Sequence, residues 1–145
     1  MVQDVQKLLI AKGKSPTNPK LPGTVLWNRG LAAAMLTVEA VRTAQGKFGK
    51  KPLTGEQVRW GIENLNIDAK RLQQLGFNSM VPAVKTSCTD HSGSGLVRFQ
   101  QWDGTHWKAV SDWMSGDRAM IRKMVEESAA KYAGEKNITP ACMKG

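Results

Sequence analysis

Apolar residues recur at three- and four-residue spacing through the first half of this chain and at two-residue spacing near residue 100. Helices are therefore expected first and strands after them. Val5, Leu8 and Leu9 mark a helix over 2–12 that stops at Gly13, a residue free to take the left-handed turn that closes a helix. "KSPTNPKLPG" carries three prolines and reads as an extended connection. "TVLW" (24–27) is β-branched and apolar, as a short strand is, and Asn28 stands where it would cap the helix behind it. That helix, about 29–45, sets Leu31, Ala34, Met35, Val38 and Val41 on one face, with Ala32 and Ala33 beside them and Glu39 and Arg42 on the wet side. Thr54 and Gln57 hold capping-box positions ahead of Val58, Ile62 and Leu65. Asp68 is placed to cap a short helix through Leu72 and Leu75, closed by Gly76.

The period then changes. "PAVKTSC" (82–88) reads as a strand, and "LVRFQQW" (96–102) alternates, with Val97 and Phe99 on one face and Arg98 and Gln100 on the other. Asp103-Gly104 is a hairpin signal, and "HWKAV" supplies the return strand. A two-residue turn would set Trp107 opposite Gln100 and diagonal to Trp102. A last amphipathic helix, 117–133, carries Ile121, Met124, Val125, Ser128 and Tyr132 and is expected to end at Gly134.

Length allows one domain with a real core. No apolar run nears the roughly 20 residues of a membrane helix. The net charge of +9 is uneven: residues 1–52 hold nine Lys/Arg against Asp4 and Glu39. Those cations sit mostly in loops with little aromatic interleaving, so a solvated basic face is favoured over the alternative of a small nucleic-acid-binding protein. The five tryptophans and seven methionines suit packing better than a stacking site. Cys88, Asp90 and His91 look reactive, but neighbours in an extended segment diverge, whereas a Cys–His pair at an active site is assembled from distant sequence. No catalytic residue, metal site or cofactor is assigned. Cys88 and Cys142 are either unrelated thiols, as in the cytosol, or one disulfide, as in an exported protein.

Three stretches, "LWNRGLAAAMLTVEAVRTAQ", "LTGEQVRWGIENLN" and "SCTDHSGSGLVRFQQWDGTHWKAVSDWM", carry a resemblance. From about residue 2 to Cys142 the chain resembles the C-terminal part of type I periplasmic solute-binding proteins, the branched-chain amino-acid receptors of ABC transporters. The resemblance implies an α+β fragment of that α/β fold, its helices packed on a small, largely antiparallel sheet with a β-hairpin at 96–110. Residues 1–80 would belong to a mainly helical lobe segment, 81–114 to hinge strands and hairpin, and 115–145 to a C-terminal helix and tethered tail. It further implies an oxidising periplasm, where Cys88 and Cys142 join, and export by a leader outside these residues. The implied function is to bind an amino acid or a small organic or aromatic acid by closing two lobes and to present it to a membrane permease, without enzymatic activity. Leu26, Trp27 and Asn28, at a strand-to-helix junction near the cleft, are the implied ligand contacts; on the residues alone, Asn28 as a cap and Trp27 as core remain equally open. The broad apolar face around Ala33 and Met35 leads to one more expectation, self-association.

Overall fold

The computed structural model describes residues 2–14, 18, 20–139 and 141–142. Helix α1 (Val2–Ala11) closes as expected at Gly13, whose φ is 63°. The amides of Gly13 and Lys14 turn back to the carbonyls of Ile10 and Leu9, satisfying groups a helix end leaves open. Ser15, Pro16, Thr17 and Pro19 of the proline-rich connection lie outside the described residues; the part from Lys20 to Thr24 is turned.

The expected strand at 24–27 is instead the start of a helix. Helix α2 spans Val25–Phe48, and Thr24 is its N-cap, with Oγ1 accepting from the Trp27 amide at 3.4 Å. A hydroxyl that takes up a free first-turn N–H outweighs the β preference of two or three residues. Asn28 is thus inside the first turn rather than at the cap, and its Nδ2 donates to Gly23 O at 3.2 Å. Helix α3 (Gly55–Glu63) has the capping box complete in both directions. Strand β1 (Asn66–Ile67) leads through the Asp68 cap into helix α4 (Ala69–Leu75), which Gly76 ends at φ 74°.

These elements make the core. Met35, Ala40, Leu65, Ile67, Leu72 and Phe77 are buried together, with Leu31, Leu36, Met80 and Val81 against them. Where α2 meets α3, Ala40 and Ala44 are fully buried, and a Cβ on Gly61 would lie 2.1 Å from Ala40 O. Only glycine lets the backbones approach so closely. The wet side assigned to Glu39 is wrong. Glu39 is 8 % exposed, and its carboxylate is gripped by Arg71 of α4, with Nε–Oε2 at 2.9 Å and Nη2–Oε1 at 2.8 Å. A bidentate guanidinium makes burial of this charge tolerable. Conversely, Ala34 and Val38, assigned to the covered face, are exposed.

The strands do not form one sheet. They make three separate antiparallel pairs: β1 with β2 (Val84–Lys85), β3 (Leu96–Val97) with β6 (Met114–Ser115), and β4 (Gln100–Trp102) with β5 (Trp107–Ala109). Of "PAVKTSC" only Val84 and Lys85 are strand. Thr86 extends that pair, its amide donating to Leu65 O and its Oγ1 accepting from Leu65 N. The hairpin register differs from the two-residue turn. Trp102 pairs directly with Trp107, across a four-residue loop from Asp103 to His106. Asp103 Oδ1 accepts from the amides of Thr105 and His106, and Lys108 Nζ stands 2.8 Å from Oδ2. These contacts, the Lys108 hydrogen bond foremost, hold the Asp103 carboxyl far below the usual carboxylate range. The longer loop is the one that satisfies its own amides. Helix α5 (Arg118–Lys136), capped by Asp117, runs through Gly134 to a left-handed Asn137. None of its residues is buried.

Candidate functional site

Two assemblies of polar residues stand outside the core. One is the loop around Cys88, the other a groove at the start of α2.

At the loop, Cys88 and Cys142 are joined in a disulfide with Cα atoms 5.5 Å apart. The sulfur is therefore not a free nucleophile. Ser87 and Asp90 form a bridge, and Asp90 Oδ1 accepts from the Ser92 amide at 3.0 Å. Two arginines of α5 complete the joint. Arg118 places Nη2 3.2 Å from Asp90 Oδ2 and donates to the carbonyls of Gly93 and Ser94, and Arg122 donates to Thr89 O. The Asp90 carboxyl is held below its usual range, by the Ser92 amide first and then by Arg122 and Arg118. On the tail, Arg59 of α3 donates to Ala141 O at 3.0 Å. His91 is exposed and joins none of this. The donors and acceptors satisfy one another, which makes this a fastened corner between α3, the 86–95 loop, α5 and the tail. Among the described residues no group of three or more His, Cys, Asp or Glu is placed to hold a metal ion.

The groove, of about 470 Å³, runs between the first turns of α2 (Val25, Asn28, Arg29, Ala32) and Ser79–Val81, and is closed on the strand side by Arg98, Gln100 and Trp113. Arg98 lies over the Trp113 ring, with Cζ 5.0 Å from its centroid, and donates to Ser79 O at 3.3 Å. Arg98 is thereby half-buried, while Val97 and Phe99 are open. Two buried polar atoms here lack a protein partner, Asn28 Oδ1 and Trp27 Nε1. A buried acceptor without a hydrogen bond is costly, so such atoms call for an account. Of the three contact residues expected from sequence, Asn28 lines the groove, Trp27 is half-buried beside it, and Leu26 is 75 % exposed and not part of the lining. Arg29, Arg98 and Trp113 were not foreseen. Arg29 carried a signal, lying one position past Asn28, whereas nothing local ties Arg98 and Trp113 to α2.

No family profile matches the chain, and no curated protein matches it. Among solved structures, a crystal structure described as an ABC transporter permease from the Pseudomonas fluorescens group superposes with a TM-score of 0.88 at 45% identity, over 98% of this chain and 34% of that one. The chain is thus related to one part of an ABC-transporter protein and spans about a third of its length. No described helix is long and apolar enough to cross a membrane.

Proposed function

We propose that this chain is part of the solute-binding receptor of an ABC transporter, acting in the periplasm on branched-chain amino acids or related small organic or aromatic acids and delivering them to a membrane permease. The groove at the start of α2 carries the reading. Arg29 and Arg98 offer guanidinium groups to a carboxylate, Trp113 offers a ring to an apolar side chain, and Asn28 Oδ1, buried and without a protein partner in this conformation, becomes an acceptor for an ammonium or hydroxyl once its side chain turns into the groove. An acceptor, cations and an aromatic face around one groove suit a zwitterion or an aromatic acid. The disulfide suits an oxidising compartment. The sequence resemblance to type I solute receptors and the relation to an ABC-transporter protein point the same way. In such a receptor this groove forms one wall of a cleft, and solute favours the closed state because it touches both walls only there.

The test is a calorimetric titration of the complete gene product with leucine, valine, phenylalanine and benzoate. One of these classes binds with saturation, and Asn28→Ala or Arg98→Met weakens it by about tenfold or more. Absence of heat with every class, together with salt-sensitive retention of duplex DNA, refutes the reading in favour of nucleic-acid binding.

A further inference from the structure

The groove at the start of α2 carries cations and no anion. Of its lining only Arg29 and Arg98 are charged; Asn28, Ser79 and Gln100 are polar and neutral, and most of the rest is apolar. Arg98 donates to Ser79 O and lies over the Trp113 ring, while Arg29 is exposed. Neither guanidinium has a carboxylate partner among the described residues. The acids of the surrounding elements are engaged elsewhere or stand apart. Helix α2 contains one, Glu39, gripped by Arg71 about three turns beyond Asn28. In the hairpin, Asp103 accepts from the Thr105 and His106 amides and pairs with Lys108. Asp112 precedes Trp113, but it is exposed and does not line the groove.

Unpaired positive charge beside an aromatic ring sorts solutes by charge. A carboxylate gains charge-assisted hydrogen bonds from a guanidinium. An α-ammonium on the same molecule is brought up to the same cations and loses water there. The lining has no anion to offset that repulsion, and a neutral acceptor such as Asn28 serves a hydroxyl as well as an ammonium.

We propose that the solute is a carboxylate without an ammonium group, an aromatic or branched aliphatic acid, and that this groove selects it against the amino acid of the same skeleton. The inference rests on the receptor reading and narrows it. Arg29 and Arg98 hold the carboxylate, and Trp113 with the apolar part of the lining receives the remainder. Charge rather than size makes the distinction, because an amino acid and its des-amino counterpart have almost the same shape.

The experiment titrates the complete gene product in a calorimeter with matched pairs: 3-phenylpropionate against phenylalanine, and 4-methylpentanoate against leucine. Each pair differs only in the α-ammonium. The acid of at least one pair is expected to bind about tenfold tighter or more than its amino acid. Arg29→Glu, at an exposed side chain, should narrow or invert that preference while leaving the melting temperature within about 2 °C of the parent. A purely structural Arg29 would instead move the melting temperature and leave the ratio unchanged, which counts against the proposal. An amino acid that binds as well as its acid, or better, overturns the inference and leaves the receptor reading standing. Silence from all four compounds removes the receptor reading, and the inference falls with it.

Discussion

Replacing Gly61 by alanine sets two backbone effects against each other, and the geometry decides between them. Within a helix, alanine is favoured over glycine by about 1 kcal/mol. At Gly61 the new Cβ would lie 2.1 Å from Ala40 O, 3.0 Å from Ala40 C and 3.1 Å from Ala44 Cβ. Ordinary carbon–oxygen contacts begin near about 3.3 Å, so α3 must withdraw from α2 by about 1 Å. The obstructing atom is main chain of a 24-residue helix whose buried face carries Met35 and Ala40 and whose Glu39 is locked to Arg71. It cannot rotate away as a side chain would. Overpacking of this kind costs about 1–3 kcal/mol, and more when backbone must move, so a net loss of about 2 kcal/mol is expected. For a chain of this size that lowers Tm by about 6 °C. Gly30→Ala and Gly46→Ala are the controls, since both glycines lie in α2 and a Cβ on either would meet nothing within 4 Å. They should stabilise by up to about 1 kcal/mol. Thermal and urea unfolding followed by circular dichroism read all three. If Gly61→Ala unfolds at or above the parent temperature, the close α2–α3 crossing is not as described.

Three other outcomes follow from local chemistry. Cys142→Ser opens the covalent loop whose ends are 54 residues apart and should lower stability by about 4 kcal/mol, seen as a lower urea midpoint, while thiol counting on the oxidised parent should find neither cysteine free. Arg71→Met leaves the Glu39 carboxylate buried without its bidentate partner and should destabilise far more than Arg42→Met, since Arg42 sits 3.5 Å from the same carboxylate on an exposed side chain. The same carboxyl gives a pH signature: its hydrogen bonds from Arg71 hold it below the ordinary 4.5, so its contribution is complete above that pH and is lost as acid titrates it through the lowered value. Equal acid sensitivity in the parent and in Arg71→Met would contradict this. Trp102 and Trp107 face each other with ring centroids 5.6 Å apart, so an exciton-coupled dichroism band should vanish in Trp107→Ala; a band that survives would show that these two rings are not its source and contradict the pairing.

Signals confined to a few residues could be read from the chain. The Thr54–Gln57 box, the Asp68 cap and the Gly13 and Gly76 closures depend on side chains and backbone within one turn of each other, and they stand where the pattern puts them. Readings that needed a choice between two local preferences went astray. "TVLW" is a β-branched run whose first residue is also an N-cap, and periodicity over four residues cannot separate the two. Asp103-Gly104 signals a tight turn, but the Asp103 carboxylate gathers two amides beyond it and lengthens the loop. Tertiary partners were beyond reach. Glu39 reads as solvated from its own helix, and only Arg71, 32 residues on, makes it a core residue. Part of the groove was visible in Asn28, with Trp27 beside it; the rest, Arg98 and Trp113, comes from residues distant in sequence, a contact that no spacing encodes.

The proposed receptor works only if the groove is one wall of a cleft that closes on a solute. Small-angle scattering of the complete gene product, measured across a titration with branched-chain amino acids and aromatic acids, addresses this directly. A saturable contraction is expected with one of these classes, lost in Arg98→Met. A profile that stays the same at every concentration of every solute contradicts it.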